Sequence, residues 1–203
     1  MRLEPADEDW KSMRIAPWSV PKFPADVVAQ VEKANAVKPL VRIDAKSFSL
    51  SQYEHVRDGG VEGKAAWRVV PGLGKSGAAM TLFPMDAESF DLAKQASVAP
   101  MLACAVEFPS AGRFKVEVHL LPTHSLVSGR GLRFGLGLDD EAPQLVTLDI
   151  GDGGPDWAQG VLSGERVVTT SIEVGAQGKR MLRIYGVDAG VVIDQLVIWT
   201  VSP

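Results

Sequence analysis

WRVVPGLGKSGAAM, residues 67–80, is the stretch on which the fold turns, because an apolar run feeding a glycine-rich loop with Lys and Ser can be read in two ways. A nucleotide-phosphate loop needs glycines that let backbone N–H groups curl round an anion. It also needs a Lys and a hydroxyl for the phosphates and their magnesium, and a helix that starts behind them. Counting back from Gly74-Lys75-Ser76, the first glycine of the G-x-x-x-x-G-K-[ST] pattern belongs at position 69, where Val69 stands. Gly72, Gly74 and Gly77 satisfy the spacing G-x-G-x-x-G, yet the GAAMTLFPMD that follows is apolar and β-rich and soon reaches Pro84, so no long helix starts there. The stretch is expected to be a Pro-Gly turn between two strands.

Outward from this turn, the period is two from Leu40 onward. RFKVEVHLLP shows it best: Phe114, Val116, Val118 and Leu120 take one face, and Arg113, Lys115, Glu117 and His119 the other. Further strands are expected in LVRIDAKSFSL, AAWRVVPG, AAMTLFP, PMLACAVEFP, LRFGLGLDD, QLVTLDIG, RVVTTSIEV, KRMLRIYGV and GVVIDQLVIWTV. Ser110-Ala111-Gly112 separates two of them, DDEAP has the residues of a hairpin turn, and DAESFDLAKQASVA reads as a loop or a single helical turn. The expected fold is all-β, a two-sheet antiparallel jelly-roll sandwich of the galactose-binding-like kind spanning residues 40–203. Residues 1–39 differ, with prolines at 17, 21, 24 and 39, Trp10 and Trp18, and one helical stretch opened by Pro24 and Asp26. They read as a Pro-rich arm with a short helix, lying against another surface.

Composition narrows the partners. The chain has 203 residues, 23% of them charged, and a net charge of −4, so nothing draws it to phosphate backbones or anionic lipid. Nucleic acid and membrane are not expected partners. MRLEPADEDW has neither the basic nor the apolar region of an export signal, and no apolar run has the length of a membrane span. The single cysteine, Cys104 in PMLACAVEF, reads as a buried small hydrophobe.

Chemistry by the chain itself has little support. Asp139, Asp140 and Glu141 stand side by side at a hairpin turn, where neighbours point apart rather than flanking a glycosidic bond. His55, His119 and His124 lack metal-ligand spacing, no G-x-S-x-G elbow occurs, and Asp149, Asp152 and Asp156 miss the order of a calcium loop. Binding is better served. Sugar rings stack their C–H faces on aromatics, and Trp157 in GDGGPDWAQG sits in a Gly-rich stretch with no strand partner to hide against. LLPTHSLVSGRGLRF adds His124 and Arg130 near a sheet rim, the arginine being suited to a carboxylate such as that of a uronic acid. Trp67 and Trp199 read as core residues.

Three segments in register, WRVVPGLGKSGAAMTLFP, VEVHLLPTHSLVSGRGLRFGLGLDDEAPQLVTL and LRIYGVDAGVVIDQLVIW, resemble the C-terminal domain of glycoside hydrolase family 115. These are the α-glucuronidases that remove (4-O-methyl)glucuronic acid from xylan. The family's catalytic machinery lies in upstream domains that no part of this chain resembles. The resemblance therefore implies a non-catalytic accessory module, with the catalytic domains of a parent enzyme as partners and a periplasmic or extracellular setting. VRIDAKSFS and GVVIDQLVI are also similar to the first and last strands of carbohydrate-binding module families 6 and 35. There, carboxylates on these strands help hold a structural calcium; Asp44 and Asp194 match, while Lys46 stands where a second acid is expected and could neutralise its neighbours in place of the ion. A stand-alone lectin-like protein binding xylan or uronic-acid oligosaccharides, a homo-oligomer, and an independent hydrolase are the alternatives left open.

Overall fold

The computed structural model describes residues 24–27, 29–30, 38–45, 47, 65–97, 99–125, 131–148 and 155–201. The chain divides into two units, Met1–Lys38 and Pro39–Pro203. In the first, residues 25–27 and 29–30 are helical. Residues 1–23, with Trp10 and Trp18, and 31–37 lie outside the described residues.

In the second unit the period-two segments all form strands: β1 (Val41–Asp44), β2 (Ala66–Pro71), β3 (Ala78–Phe83), β4 (Met101–Phe108), β5 (Gly112–Leu120), β6 (Leu132–Leu138), β7 (Gln144–Leu148), β8 (Arg166–Val174), β9 (Gly178–Gly186) and β10 (Val192–Thr200). Two antiparallel sheets result. One has the order β2-β3-β10-β5-β8 with β1 also on β10, and the other has the order β4-β9-β6-β7. The alternation of β5 is realised residue for residue: Phe114, Val116, Val118 and Leu120 are buried, while Lys115, Glu117 and His119 are half-buried and Arg113 is exposed. Facing them across the sandwich are Leu102, Cys104, Val106 and Phe108 of β4, Phe134 and Leu136 of β6, and Leu182 and Ile184 of β9, all in one core. Burial pushes the Cys104 thiol up to about 12, which makes it a packing group.

Connections follow the turn chemistry with one qualification. The stretch around Gly72–Gly77 closes a β2–β3 hairpin paired from Ala66↔Phe83 to Pro71↔Ala78, and DDEAP closes β6 onto β7. Ser110-Ala111-Gly112, by contrast, carries the chain from one sheet to the other, where Phe108 and Phe114 meet edge to face at 4.8 Å. The segment after β3 makes one helical turn, α1 (Leu92–Gln95), capped by the Asp91 carboxylate on the Ala93 N–H. Its Phe90 and Leu92 pack on Met101, Ala103 and Tyr185, a small second core on the outer face of the four-stranded sheet.

Candidate functional site

The glycine-rich hairpin does cradle an anion, and the anion belongs to the chain itself. Asp194, 3% exposed, sits where the β10–β5 register shifts between Ile193 and Gln195. Its carboxylate accepts from the Lys75 N–H at 2.8 Å, the Ser76 N–H at 3.2 Å and the Ser76 hydroxyl at 2.6 Å. Gly74 makes this approach feasible: its φ is +73°, and a Cβ there would overlap the Asp194 carboxylate. Asp44, on β1, accepts instead from Gln195 Nε2 at 2.7 Å. N–H and O–H groups aimed at Asp194 occupy with positive ends the directions a cation would need. Among the described residues no group of three or more His, Cys, Asp or Glu is placed to hold a metal. This donor set does not fit a calcium ion at Asp194. Lys46 lies outside the described residues.

A charged row extends from this clasp across the outer face of the larger sheet. Lys75 Nζ lies 2.6 Å from Glu165 Oε2, and Glu165 Oε1 lies 2.7 Å from His119 Nδ1, which carries the proton because an ionised carboxylate only accepts. Beyond it, Glu117 accepts from Lys115 at 2.9 Å and from Trp199 Nε1 at 2.7 Å, with the Lys115 ammonium 4.9 Å from the Trp199 ring centroid. Trp199, read from the sequence as core, faces outward. Burial acts to raise both glutamates, but the hydrogen bonds from Lys75 and His119 to Glu165, and from Lys115 and Trp199 to Glu117, outweigh it, so both lie below the ordinary 4.5. Such a ladder of mutually neutralised groups holds strands together; it does not present a poised acid and base. Asp139 and Asp140 are likewise engaged separately, with Arg180 at 3.1 Å and Arg183 at 2.8 Å.

The residues expected to bind sugar come partly together. β5 ends opposite the start of β8, Leu120 against Arg166, so the segment leaving β5 and the element entering β8 share one edge of the sandwich. Thr123 bonds the Gly190 carbonyl at 2.6 Å and pins that segment. His124, exposed, stacks on Trp157 with ring centroids 5.0 Å apart and planes inclined at 31°. Trp157 is not in a loop: it lies in a helix, α2 (Pro155–Ser163), half-buried against the core, its Nε1 buried without a hydrogen-bond partner. The glycines around it obscured that helix in the sequence. Its signals were Pro155 as the first residue and Gly164, φ +67°, just past the end. Arg130 lies outside the described residues.

Sequence reading missed a second concavity. On the outer face of the four-stranded sheet, the segment around α1 and the β6–β7 turn enclose a cleft of about 950 Å³, floored by Tyr185 and reached by Arg183 and Arg133. Arg133 is held by buried Asp188 through two hydrogen bonds of 2.8 and 3.0 Å, which raise its pKa. The only trace of the cleft in the sequence is the alternation of glycines in LRFGLGL, which leaves one face of β6 without side chains at 135 and 137.

Two antiparallel sheets packed face to face, with the His124–Trp157 ring pair at one rim, make the architecture of a β-sandwich module. The chain belongs to glycosyl hydrolase family 115: the model of that family's C-terminal domain matches residues 40–201. Its fold is similar to part of the family GH115 4-O-methyl-α-glucuronidase BtGH115A, which has specificity for decorated arabinogalactans. The TM-score is 0.59 at 19% identity, over 81% of this chain and 18% of that one. It is also similar to the C-terminal CBM6 of LamC, a marine laminarinase from Zobellia galactanivorans, with TM-score 0.50 at 17% identity over 79% of this chain and 98% of that one. At these identities the likeness is one of fold. No curated protein matches the chain.

Proposed function

We propose that this chain serves an α-glucuronidase-type enzyme as its accessory sandwich, packing on the catalytic region and helping glucuronoxylan dock, while the hydrolysis is performed elsewhere in the parent protein. The observation that carries the binding role is the His124–Trp157 stack: an exposed imidazole backed by an indole that is itself anchored on the core. A ring fixed from behind loses little freedom when a pyranose settles on it, and Arg130, from the segment that follows His124, would meet a uronic carboxylate. Because BtGH115A has specificity for decorated arabinogalactans, arabinogalactan is the polysaccharide to compare.

Affinity electrophoresis of the 203-residue chain in gels containing glucuronoxylan or arabinogalactan tests this. Retardation is expected in glucuronoxylan, and His124→Ala is expected to reduce it without altering the fold, since the side chain is exposed. No retardation in either gel would leave a packing role alone, and glucuronic acid released from oligosaccharides by the purified chain would overturn the non-catalytic reading.

A further inference from the structure

Helix α2 carries one half of the rim pair, and its apolar contacts are too few to hold it. From Trp157 to Ser163 only Trp157 and Gly160 are turned away from solvent, whereas Val161 is 44% exposed and Leu162 83%. Gly160 lies so close over the Arg166 stem that a Cβ there would overlap Arg166 Cδ. A helix of nine residues moves as one rod, about 13 Å long, so whatever holds its last turn also sets where Trp157 lies.

That hold comes from Glu165. The helix closes in a Schellman turn: the Gly164 N–H donates to the Val161 carbonyl at 3.1 Å and the Glu165 N–H to the Gly160 carbonyl at 3.0 Å, so the Glu165 backbone belongs to the helix frame. Its side chain, 17% exposed, then reaches two other elements, at Lys75 Nζ, 2.6 Å away, and His119 Nδ1, 2.7 Å away. Neither of these elements is free to follow the helix. The Lys75 N–H is held by Asp194, and β5 is paired on both sides of His119, with Gln195 opposite it on β10 and Val167 on β8. His124 is tied down separately, through Thr123 on the Gly190 carbonyl. The two rings of the rim thus stand on different supports, and the indole is the one that depends on Glu165.

We infer that Glu165 is a positioning residue of the rim: by tying the end of α2 to β5 and to the β2–β3 hairpin, it sets the angle at which Trp157 backs His124 and keeps the ring platform assembled before a ligand arrives. This rests on the proposed function only for what the platform binds; the ring geometry belongs to the free protein. Glu117 supplies the contrast. It is similarly shielded, 20% exposed, and likewise accepts from an ammonium and a ring N–H, but those partners, Lys115 and Trp199, stand on β5 and β10 rather than on α2. Loss of either glutamate should loosen the larger sheet, and loss of Glu165 alone should reach the rim.

The test compares Glu165→Ala with Glu117→Ala in the full chain, first without ligand. With ring centroids 5.0 Å apart, the indole shifts the His124 ring protons upfield in the NMR spectrum. Glu165→Ala is expected to remove much of that shift and to move the Trp157 indole N–H resonance, while Glu117→Ala should leave both where they are. Glu165→Gln keeps the length and an accepting oxygen but not the charge. It should move the same resonances in the same direction by less, and it keeps the comparison open should the alanine variant unfold. Calorimetry with a glucuronoxylan-derived aldouronic acid is the second readout. Glu165→Ala should bind about tenfold more weakly, as follows when the assembled platform falls to about a tenth of the population, and Glu117→Ala should bind as the wild type does. Unmoved His124 and Trp157 resonances in both Glu165 variants, equal movement in the Glu165 and Glu117 variants, or an undiminished affinity in Glu165→Ala would each overturn the inference. A wild type that binds no aldouronic acid would count against the proposed function instead, and the ligand-free spectra would still decide the role of Glu165.

Discussion

Replacing Gly74 by Ala is the sharpest test of the clasp between the β2–β3 hairpin and β10, because Gly72 provides an internal control. Both residues have positive φ, +78° at Gly72 and +73° at Gly74, so a Cβ costs each about 1–2 kcal/mol of backbone strain. Both variants also gain the same small amount from a stiffer unfolded chain. The environments differ: a Cβ at 72 has nothing within 4 Å, whereas one at 74 overlaps the Asp194 carboxylate and must push it off its donors from Lys75 and Ser76. A hydrogen bond to a charged acceptor is worth about 1.5–3 kcal/mol, and the displaced carboxylate is buried, so Gly74→Ala should lose about 2–3 kcal/mol more than Gly72→Ala. At roughly 2–4 °C per kcal/mol for a domain of this size, that is about 5–10 °C between the two melting temperatures. Urea titration of both variants measures the difference directly, with an unchanged m-value as the condition for comparing midpoints. Equal midpoints for the two variants would refute the claim that the loop closes round Asp194.

The acid limb of stability should depend on Glu165. Its carboxyl is held below 4.5 when folded, so its contribution is complete above that pH and disappears as the pH falls through the lowered value. Glu165→Gln should flatten that part of a plot of melting temperature against pH, and an identical slope in the variant would count against the Lys75–Glu165–His119 ladder. Because Asp194 is satisfied by protein donors, adding a chelator should leave the melting temperature where it was and adding calcium should not raise it; a fall on chelation would restore the metal at this position.

What the sequence could reveal was set by the range of each interaction. Side-chain alternation is a local property, so the faces of β5 and the positions of all ten strands follow from residues one or two apart. The choice between phosphate loop and hairpin was legible for the same reason, since Val69 and Pro84 decide it nearby. Pairing is not local. Ser76 and Asp194 meet across 118 residues, and nothing in either segment states that the hairpin's amides would close on that carboxylate rather than leave it to an ion. The same holds for the turn at Ser110, which joins strands in different sheets, and for the segment around α1, whose cover of Tyr185 depends on glycines more than forty residues further on. Helix α2 was misread for another reason. The glycines that precede Trp157 signal a loop, and a nine-residue helix is too short for its period to overrule them.

The place of β10 bears on how the protein is made. The last strand of the sandwich to leave the ribosome is an interior one, hydrogen-bonded to β5 along one side and to β3 and β1 along the other, and it also delivers Asp194 to the hairpin. Until it arrives, β1, β3 and β5 lack their shared partner and the apolar layer of the larger sheet is bisected, so the sandwich cannot close. A stop codon ahead of Val192 would thus abolish the entire sandwich rather than trim it.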